Sequence, residues 1–306
     1  MSSRLLSRIA LSVLLGFFYL QSSFAQDEYE LTPEQQQLLE QMQKVIEALN
    51  PRTGEITLGD NLAVLNVPED FYFLNADDAA TVLVDLWGNP PDQDVLGMLF
   101  PAESSPLDFD AWAVTIDYVE DGHVSDSDAA DIDYDELLED MQSDIRSAND
   151  DRIDAGYQPI ELLGWAEPPH YDSYSKKLYW AMELRFGDDP ETTLNYEIRN
   201  LGRKGILNMT FVAGTSQLAE INDKRETVLA MAEFVEGNRY TDFDSNIDEV
   251  AAYGIGALVA GKVAAKAGLF GAFILIVKKF GIFLVLGLAA FGRKIKGMFT
   301  TDKLGP

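Results

Sequence analysis

Leu178-Tyr179-Trp180-Ala181-Met182-Glu183-Leu184-Arg185-Phe186 is the stretch on which the fold of this chain turns. Leu178, Trp180, Met182, Leu184 and Phe186 recur at every second position, the period of a strand whose successive side chains point to opposite faces. The segments on either side repeat the pattern. Residues 160–165 read as a strand before it and residues 193–201 as a strand after it. Gly202-Arg203-Lys204-Gly205 then turns the chain into a further strand over 206–212. Such a run of neighbouring strands is a meander. Residues 215–236 follow as an amphipathic helix closed by Gly237.

The first half carries strands over 95–100 and 111–118, the second with Trp112, Val114, Ile116 and Tyr118 on one face. Residues 55–58 and 61–67 read as a hairpin about the two-residue turn Gly59-Asp60, and 71–74 as one more strand. Three helices fall between these runs. Thr32 caps one that starts at Pro33, with Leu38, Leu39, Met42, Val45, Ile46 and Leu49 as its apolar stripe. Asn75 caps a short one over 76–87, ended by Gly88-Asn89-Pro90-Pro91. Ser125 is the expected cap of an acidic one, with Asp126 and Asp128 near its positive end and Tyr134, Leu138, Met141, Ile145 and Ala148 as its buried stripe. Strands in runs with helices between the runs predict an α+β fold, a mostly antiparallel sheet packed with helices.

Both ends of the chain are apolar and the middle is acidic. Arg4 and Arg8, the apolar run 9–20 and Ser23-Phe24-Ala25 have the order of a signal peptide, expected over 1–25 with the mature chain starting at Gln26. The run is short for a span, which needs about 20 residues. Residues 251–292 read as a membrane segment interrupted by lysines. A transmembrane helix over 253–277 places Lys278 and Lys279 at the cytoplasmic edge, with Arg293, Lys294 and Lys296 behind them in a basic tail over 293–306. Residues 280–292 are then too short to cross and are expected to be interfacial or re-entrant; a full helical hairpin is the other option. Ala252, Gly256, Ala260, Ala264, Gly268 and Ala272 repeat every four residues, a small-residue ridge that suits self-association or docking on another membrane protein. The expected location is a bacterial inner membrane, with one domain over 26–250 in the periplasm and the bilayer as a partner.

That domain holds 50 of the 51 acidic residues against 13 Lys and Arg, a net charge of −37. It is repelled by nucleic acid, and its plausible ligands are cations or basic surfaces. The chain has no cysteine, so an exported fold must stand on its apolar core. No cofactor is implied. The chemistry-bearing residues are few: no Cys nucleophile, no G-x-S-x-G, no H-E-x-x-H and no phosphate loop are present, and the histidines are His123 and His170. The densest grouping is Trp165-Ala166-Glu167-Pro168-Pro169-His170-Tyr171-Asp172. There Glu167, His170 and Asp172 would serve as an acid/base or metal site, or else as part of a rigid turn between strands. The acids between Asp121 and Asp135 resemble a calcium loop but lack its sixth-position glycine and terminal glutamate, and a helix start is the better reading. Trp87 and Trp165, beside Pro90-Pro91 and Pro168-Pro169, would grip a glycan or peptide if exposed, and are core if not.

Three strings carry a family resemblance: Val84-Asp85-Leu86-Trp87-Gly88-Asn89-Pro90-Pro91, Val95-Leu96-Gly97-Met98-Leu99-Phe100-Pro101 and Gly164-Trp165-Ala166-Glu167-Pro168-Pro169-His170-Tyr171-Asp172. It continues through Gly237-Asn238-Arg239-Tyr240-Thr241-Asp242-Phe243 and Ala251-Ala252-Tyr253-Gly254-Ile255. With these the chain resembles a bacterial family of predicted membrane-anchored proteins of unknown function. The resemblance implies the topology, and no activity, ligand or catalytic residue. Two functions follow from the sequence. One is a non-enzymatic, membrane-anchored envelope protein whose acidic domain binds other proteins. The alternative is a periplasmic hydrolase or metal-dependent enzyme using Glu167, His170 and Asp172.

Overall fold

In the computed structural model, residues 33–89, 94–108, 111–154, 156–190 and 192–261 are described. The expected signal peptide, the cap Thr32 and everything beyond Gly261 lie outside them. The described elements are, in chain order, α1 (Pro33–Ala48), β1 (Gly54–Leu58), β2 (Ala63–Val67), β3 (Phe71–Asn75), α2 (Ala76–Ala80), β4 (Gly97–Pro101), β5 (Ala113–Val119) and β6 (His123–Ser125). There follow α3 (Tyr134–Asp154), β7 (Ile160–Asp172), β8 (Lys177–Phe186), β9 (Thr193–Leu201), β10 (Ile206–Gly214), α4 (Leu218–Met231), β11 (Ala232–Phe234), β12 (Val250–Gly254) and α5 (Ile255–Val259). The expected α+β class holds.

Seven strands form one sheet in the order β3-β4-β5-β10-β9-β8-β7, with every neighbouring pair antiparallel. It is two meanders joined where β10 pairs with β5, Met209 opposite Ile116 and Phe211 opposite Val114. On one face lie the antiparallel sheet β1-β2-β11 and α4, which enclose a core with Leu99, Val114, Ile116, Tyr196, Ile198, Met209 and Phe211. The alternation read from residues 178–186 is seen directly: Leu178, Trp180, Met182, Leu184 and Phe186 all point to the opposite face, into a second core with α3 and α5. A third core under α1 and α2 takes Leu74, Met98, Phe100, Ala113 and Val212 from that same face. The rings of Trp112 and Phe211 stack at 5.6 Å, and Phe71 and Tyr196 meet that pair edge-on.

Several local expectations change. The hairpin loop runs over four residues, 59–62, since Leu58 pairs with Ala63. Gly59 and Asn61 both take positive φ there, of 55° and 56°, which Gly and Asn tolerate best. A two-residue turn would have set polar Asn61 on the buried face opposite Leu58. Asn75 caps α2 as expected, its side chain accepting from Asp78 N at 2.9 Å, but the helix widens into a π-helical turn over Thr81–Leu86. The helix read over 215–236 ends at Met231, and Ala232–Phe234 leave it to pair with β2. Ser125 belongs to a strand, and Asp133 caps α3 by accepting from Asp135 N and Glu136 N at 3.1 Å each. Met141 and Ile145 of the expected stripe are buried, with Tyr134 and Leu138 packed beside them.

Packing extends past Val250: Ile255, Leu258, Val259 and Ala260 are buried in the second core. Thus the first residues of the expected span at 253–277 belong to the folded domain. No helix among the described residues is long and apolar enough to cross a membrane.

Without disulfides, stability follows the core directly. Phe211→Ala should cost about 3–5 kcal/mol in urea unfolding, the range for a buried Phe. Tyr174→Ala, at a side chain 96% exposed, should stay within about 0.5 kcal/mol. Equal losses would mean that the aromatic core is not what holds the sheet.

Candidate functional site

Glu167, His170 and Asp172 lie on β7, the edge strand of the large sheet, and not on a loop. Pro168 and Pro169 are tolerated because an edge strand has a free side and the register here is irregular between Glu167 and His170. Each of the three side chains is engaged elsewhere. Glu167 Oε1 receives Nη1 of Arg225 at 3.1 Å, and the same Nη1 donates to the Tyr196 hydroxyl at 3.0 Å. The Arg225 guanidinium also lies over the Tyr179 ring, 5.2 Å from its centre. His170 is exposed and packs on Tyr179 at 5.0 Å between ring centres. Asp172 accepts from Tyr174 N at 2.9 Å and from the Ser175 hydroxyl at 2.6 Å, which closes the turn from β7 to β8. Those hydrogen bonds hold its carboxyl below the usual range. The anchor of this edge, Arg225 on α4, is 58 positions from Glu167, and nothing in the local sequence pairs them.

A second polar site was not legible beforehand. Thr115 and Asp117 on β5, Asn208 and Thr210 on β10, and Asn195 and Glu197 on β9 are all buried. They share the sheet face that carries the second and third cores and separate the two. Asn208 donates to Asp117 Oδ2 at 2.6 Å, Thr210 Oγ1 to Glu197 Oε2 at 2.8 Å, and Arg199 Nη1 approaches Glu197 Oε2 to 2.7 Å. The Arg199 guanidinium lies over Trp180 at 5.3 Å. Trp180 Nε1, Asn195 Oδ1 and Asn208 Oδ1 are buried with no hydrogen-bond partner among the described residues. Each such atom costs about 1–3 kcal/mol if nothing pairs with it. The alternation of Asn195, Glu197 and Arg199 with Leu194, Tyr196 and Ile198 reads from sequence as a wet face, which is why it drew no attention.

The other expected sites resolve as structure. Asp126 accepts from Tyr171, Lys176 and Tyr240, and the carboxylate of Asp128 accepts from Ile255 N and Gly256 N. These two acids are therefore occupied by the protein itself, and no group of three or more His, Cys, Asp or Glu among the described residues is placed to hold a metal. His123 lies between Tyr240 and Phe243 at 4.2 and 4.1 Å. Trp87 is core, its Nε1 donating to Pro106 O at 2.9 Å, while Pro90 and Pro91 lie outside the described residues. Trp165, half-buried, donates to Tyr134 O at 3.2 Å. Of the small-residue ridge, Ala252 is on β12, Gly256 is on α5 and Ala260 is the residue that ends α5. A Cβ at Gly256 would touch Ile132 of the same domain at 3.6 Å, and Ala260 is buried. Ala264, Gly268 and Ala272 lie outside the described residues.

Asp117 gives this domain a measurable pH dependence. Burial pushes its carboxyl up to about 6, against the opposing pull of Arg199 and the Asn208 hydrogen bond. The folded chain therefore holds a proton there that the unfolded chain, near 3.8, has released. This group adds stability as pH falls through 6 toward 4. Asp117→Asn should be more stable than wild type at pH 7.5 by about 3 kcal/mol, and the two should converge near pH 4. Urea unfolding at both pH values checks this, and an asparagine variant no more stable at pH 7.5 would contradict it.

Comparison with known proteins adds the family. No curated protein matches the chain. Among solved structures, cyanobacterial PsbP (CyanoP) from Synechocystis sp. PCC 6803 is similar over 61% of this chain and 92% of its own, at 10% identity and a TM-score of 0.33. The Saccharomyces cerevisiae Ran-binding protein Mog1p is similar over 64% and 100%, at 12% identity and a TM-score of 0.31. Likenesses of that strength bear on neither the site nor the function. The family match is far broader, for it takes in both the edge strand with Glu167, His170 and Asp172 and the polar face around Asp117: over residues 50–289 the chain belongs to the family described as protein of unknown function (DUF2167).

Proposed function

We propose that this protein is a non-enzymatic, membrane-anchored envelope protein whose acidic domain faces the periplasm and binds other proteins. The observation that carries the non-enzymatic part is the engagement of all three candidate catalytic side chains. Glu167 is paired with Arg225, His170 rests on Tyr179, and Asp172 closes a turn. A hydrolase needs a nucleophile and a base that face a common reacting atom, and here Glu167 makes its hydrogen bond to Arg225 and Asp172 makes its own to the turn between β7 and β8. That arrangement favours the non-enzymatic reading over an enzyme built around Glu167, His170 and Asp172.

The net charge of −37 between residues 26 and 250 favours basic partners. The exposed acids of α3, Asp135, Glu136, Glu139 and Asp140, place part of that charge on one helix. The membrane part of the reading rests on the two apolar ends of the sequence, with the bilayer contacted by the apolar residues that follow Gly261, the C-terminus cytoplasmic and Ala264, Gly268 and Ala272 of the ridge free to pair with a second copy or another membrane protein.

Two measurements test it. Alkaline phosphatase fused after Gly261 should be active in cells, and the same reporter fused after Pro306 should be inactive; any other pair of results refutes the topology. A photo-crosslinker at Glu139 should form an adduct with a basic protein at low salt and lose it near about 0.5 M, where surface charges are screened. No adduct, or one indifferent to salt, would count against protein binding through this charge.

A further inference from the structure

The acidic stretch 121–128 and the chain from Val250 to Gly261 meet in a way that neither explains alone. β12 pairs in parallel with β6, Val250 opposite His123 and Gly254 opposite Ser125, with an irregularity between them. The two strands form a sheet of their own, apart from the seven- and three-stranded sheets. Tyr253 donates to Asp121 at 3.0 Å. The Asp128 carboxylate then receives both first amides of α5, Ile255 N at 3.0 Å and Gly256 N at 3.1 Å. The fit is close at two glycines. A Cβ on Gly254 would lie 2.5 Å from Asp128 Oδ1, and one on Gly122 would lie 2.9 Å from Glu249 O.

From this we infer that residues 250–261 are a releasable strap, latched by Asp128, which sets how far the domain stands from whatever follows Gly261. A two-stranded sheet and a five-residue helix are both marginal on their own. What keeps them in place is the burial of Ile255, Leu258, Val259 and Ala260 against the second core, together with the two hydrogen bonds to Asp128. The chain leading into the strap is fixed by the Asp248–Arg203 ion pair at 2.7 Å and by His123 N donating to Glu249 O at 2.9 Å, so that release would begin after Glu249, where Val250 is 59% exposed. An element outside the ladder of the main sheet forms a cooperative unit of its own and opens below the free energy of global unfolding. The sheet loses no strand when the strap leaves. Released and extended, these residues reach about 40 Å. If the membrane reading proposed above holds, the strap switches the domain between a docked and a distant position; the strap itself does not depend on that reading.

Hydrogen exchange by mass spectrometry on the full chain tests it. In wild type, peptides over 251–261 should exchange at least about tenfold faster than peptides from β9 and β10. Asp128→Ala should speed the strap about tenfold more, the size of a lost helix cap, and Asp128→Asn by less, with β8 to β10 unchanged in both. Exchange of strap and sheet at one rate in wild type would overturn the inference, as would an alanine variant that speeds both equally or neither. If Asp128→Ala does not fold, the wild-type comparison decides by itself. The readout needs no membrane, so a failed topology reporter beside a fast-opening strap would refute the membrane reading and leave the strap.

Discussion

The pairing of β5 with β10 is the contact on which the rest of this structure depends. These strands are about 90 residues apart, and their seven-pair register from Ile206 opposite Val119 to Val212 opposite Ala113 joins two meanders that would otherwise be separate sheets. Because side chains alternate, the same register sends Val114, Ile116, Met209 and Phe211 to one core and Thr115, Asp117, Asn208 and Thr210 to the other face. A slip of one residue would exchange the two sets and bury charge in the aromatic core. Parity thus fixes where every later element can pack. The small sheet and α4 must cover the face with Phe211, and the remaining helices must divide the other face around its polar centre.

That polar centre is the costliest feature of the domain. Hydrogen bonds link Asp117 to Asn208 and Glu197 to Thr210, and Arg199 neutralises Glu197, yet Trp180 Nε1, Asn195 Oδ1 and Asn208 Oδ1 at this centre have no hydrogen-bond partner among the described residues. In a protein with only about 5–15 kcal/mol of net stability, a stripe of this kind weighs as much as several core side chains. The edge strand is the opposite case. Glu167 and Arg225 are both partly exposed, so their ion pair contributes about 1 kcal/mol or less. Its role is positional, since it ties α4 to β7 where two prolines weaken the ladder.

Legibility differed by the range of the interaction. The strand Leu178 to Phe186, the Asn75 cap and the stripe of α3 rest on residues within a few positions of one another, and each could be read directly. The misreadings share one cause. Ser125, Asp126 and Asp128 have the composition of a helix start, but Asp126 is held by Tyr171, Lys176 and Tyr240 and Asp128 by the amides of α5, partners 45 to 128 positions away. With those acids engaged, the cap falls to Asp133, which accepts from Asp135 N and Glu136 N. The grouping Glu167, His170 and Asp172 looked like chemistry because the eye counts residue types; Arg225, which decides what Glu167 does, is in another element. The burial of Asn195 and Glu197 beside Arg199 is not legible, because alternation is identical for a solvated face and for a buried polar one.

By itself, the sequence determined the class of this fold, most strands of its large sheet, the absence of disulfides and the acidity of the domain, because periodicity, composition and charge are local or additive properties. Only the tertiary structure decided which polar residues are buried, which acids are occupied and that the chain from Val250 to Gly261 packs on the domain. Those depend on cross-strand register and on contacts between distant elements. The chain from Val250 to Gly261 shows the division: its apolar, small-residue composition suits a membrane helix, and the physical reason it packs instead as β12 and α5 is that Asp128 and the core beneath Trp180 supply its first amides and its apolar side chains with partners inside the domain.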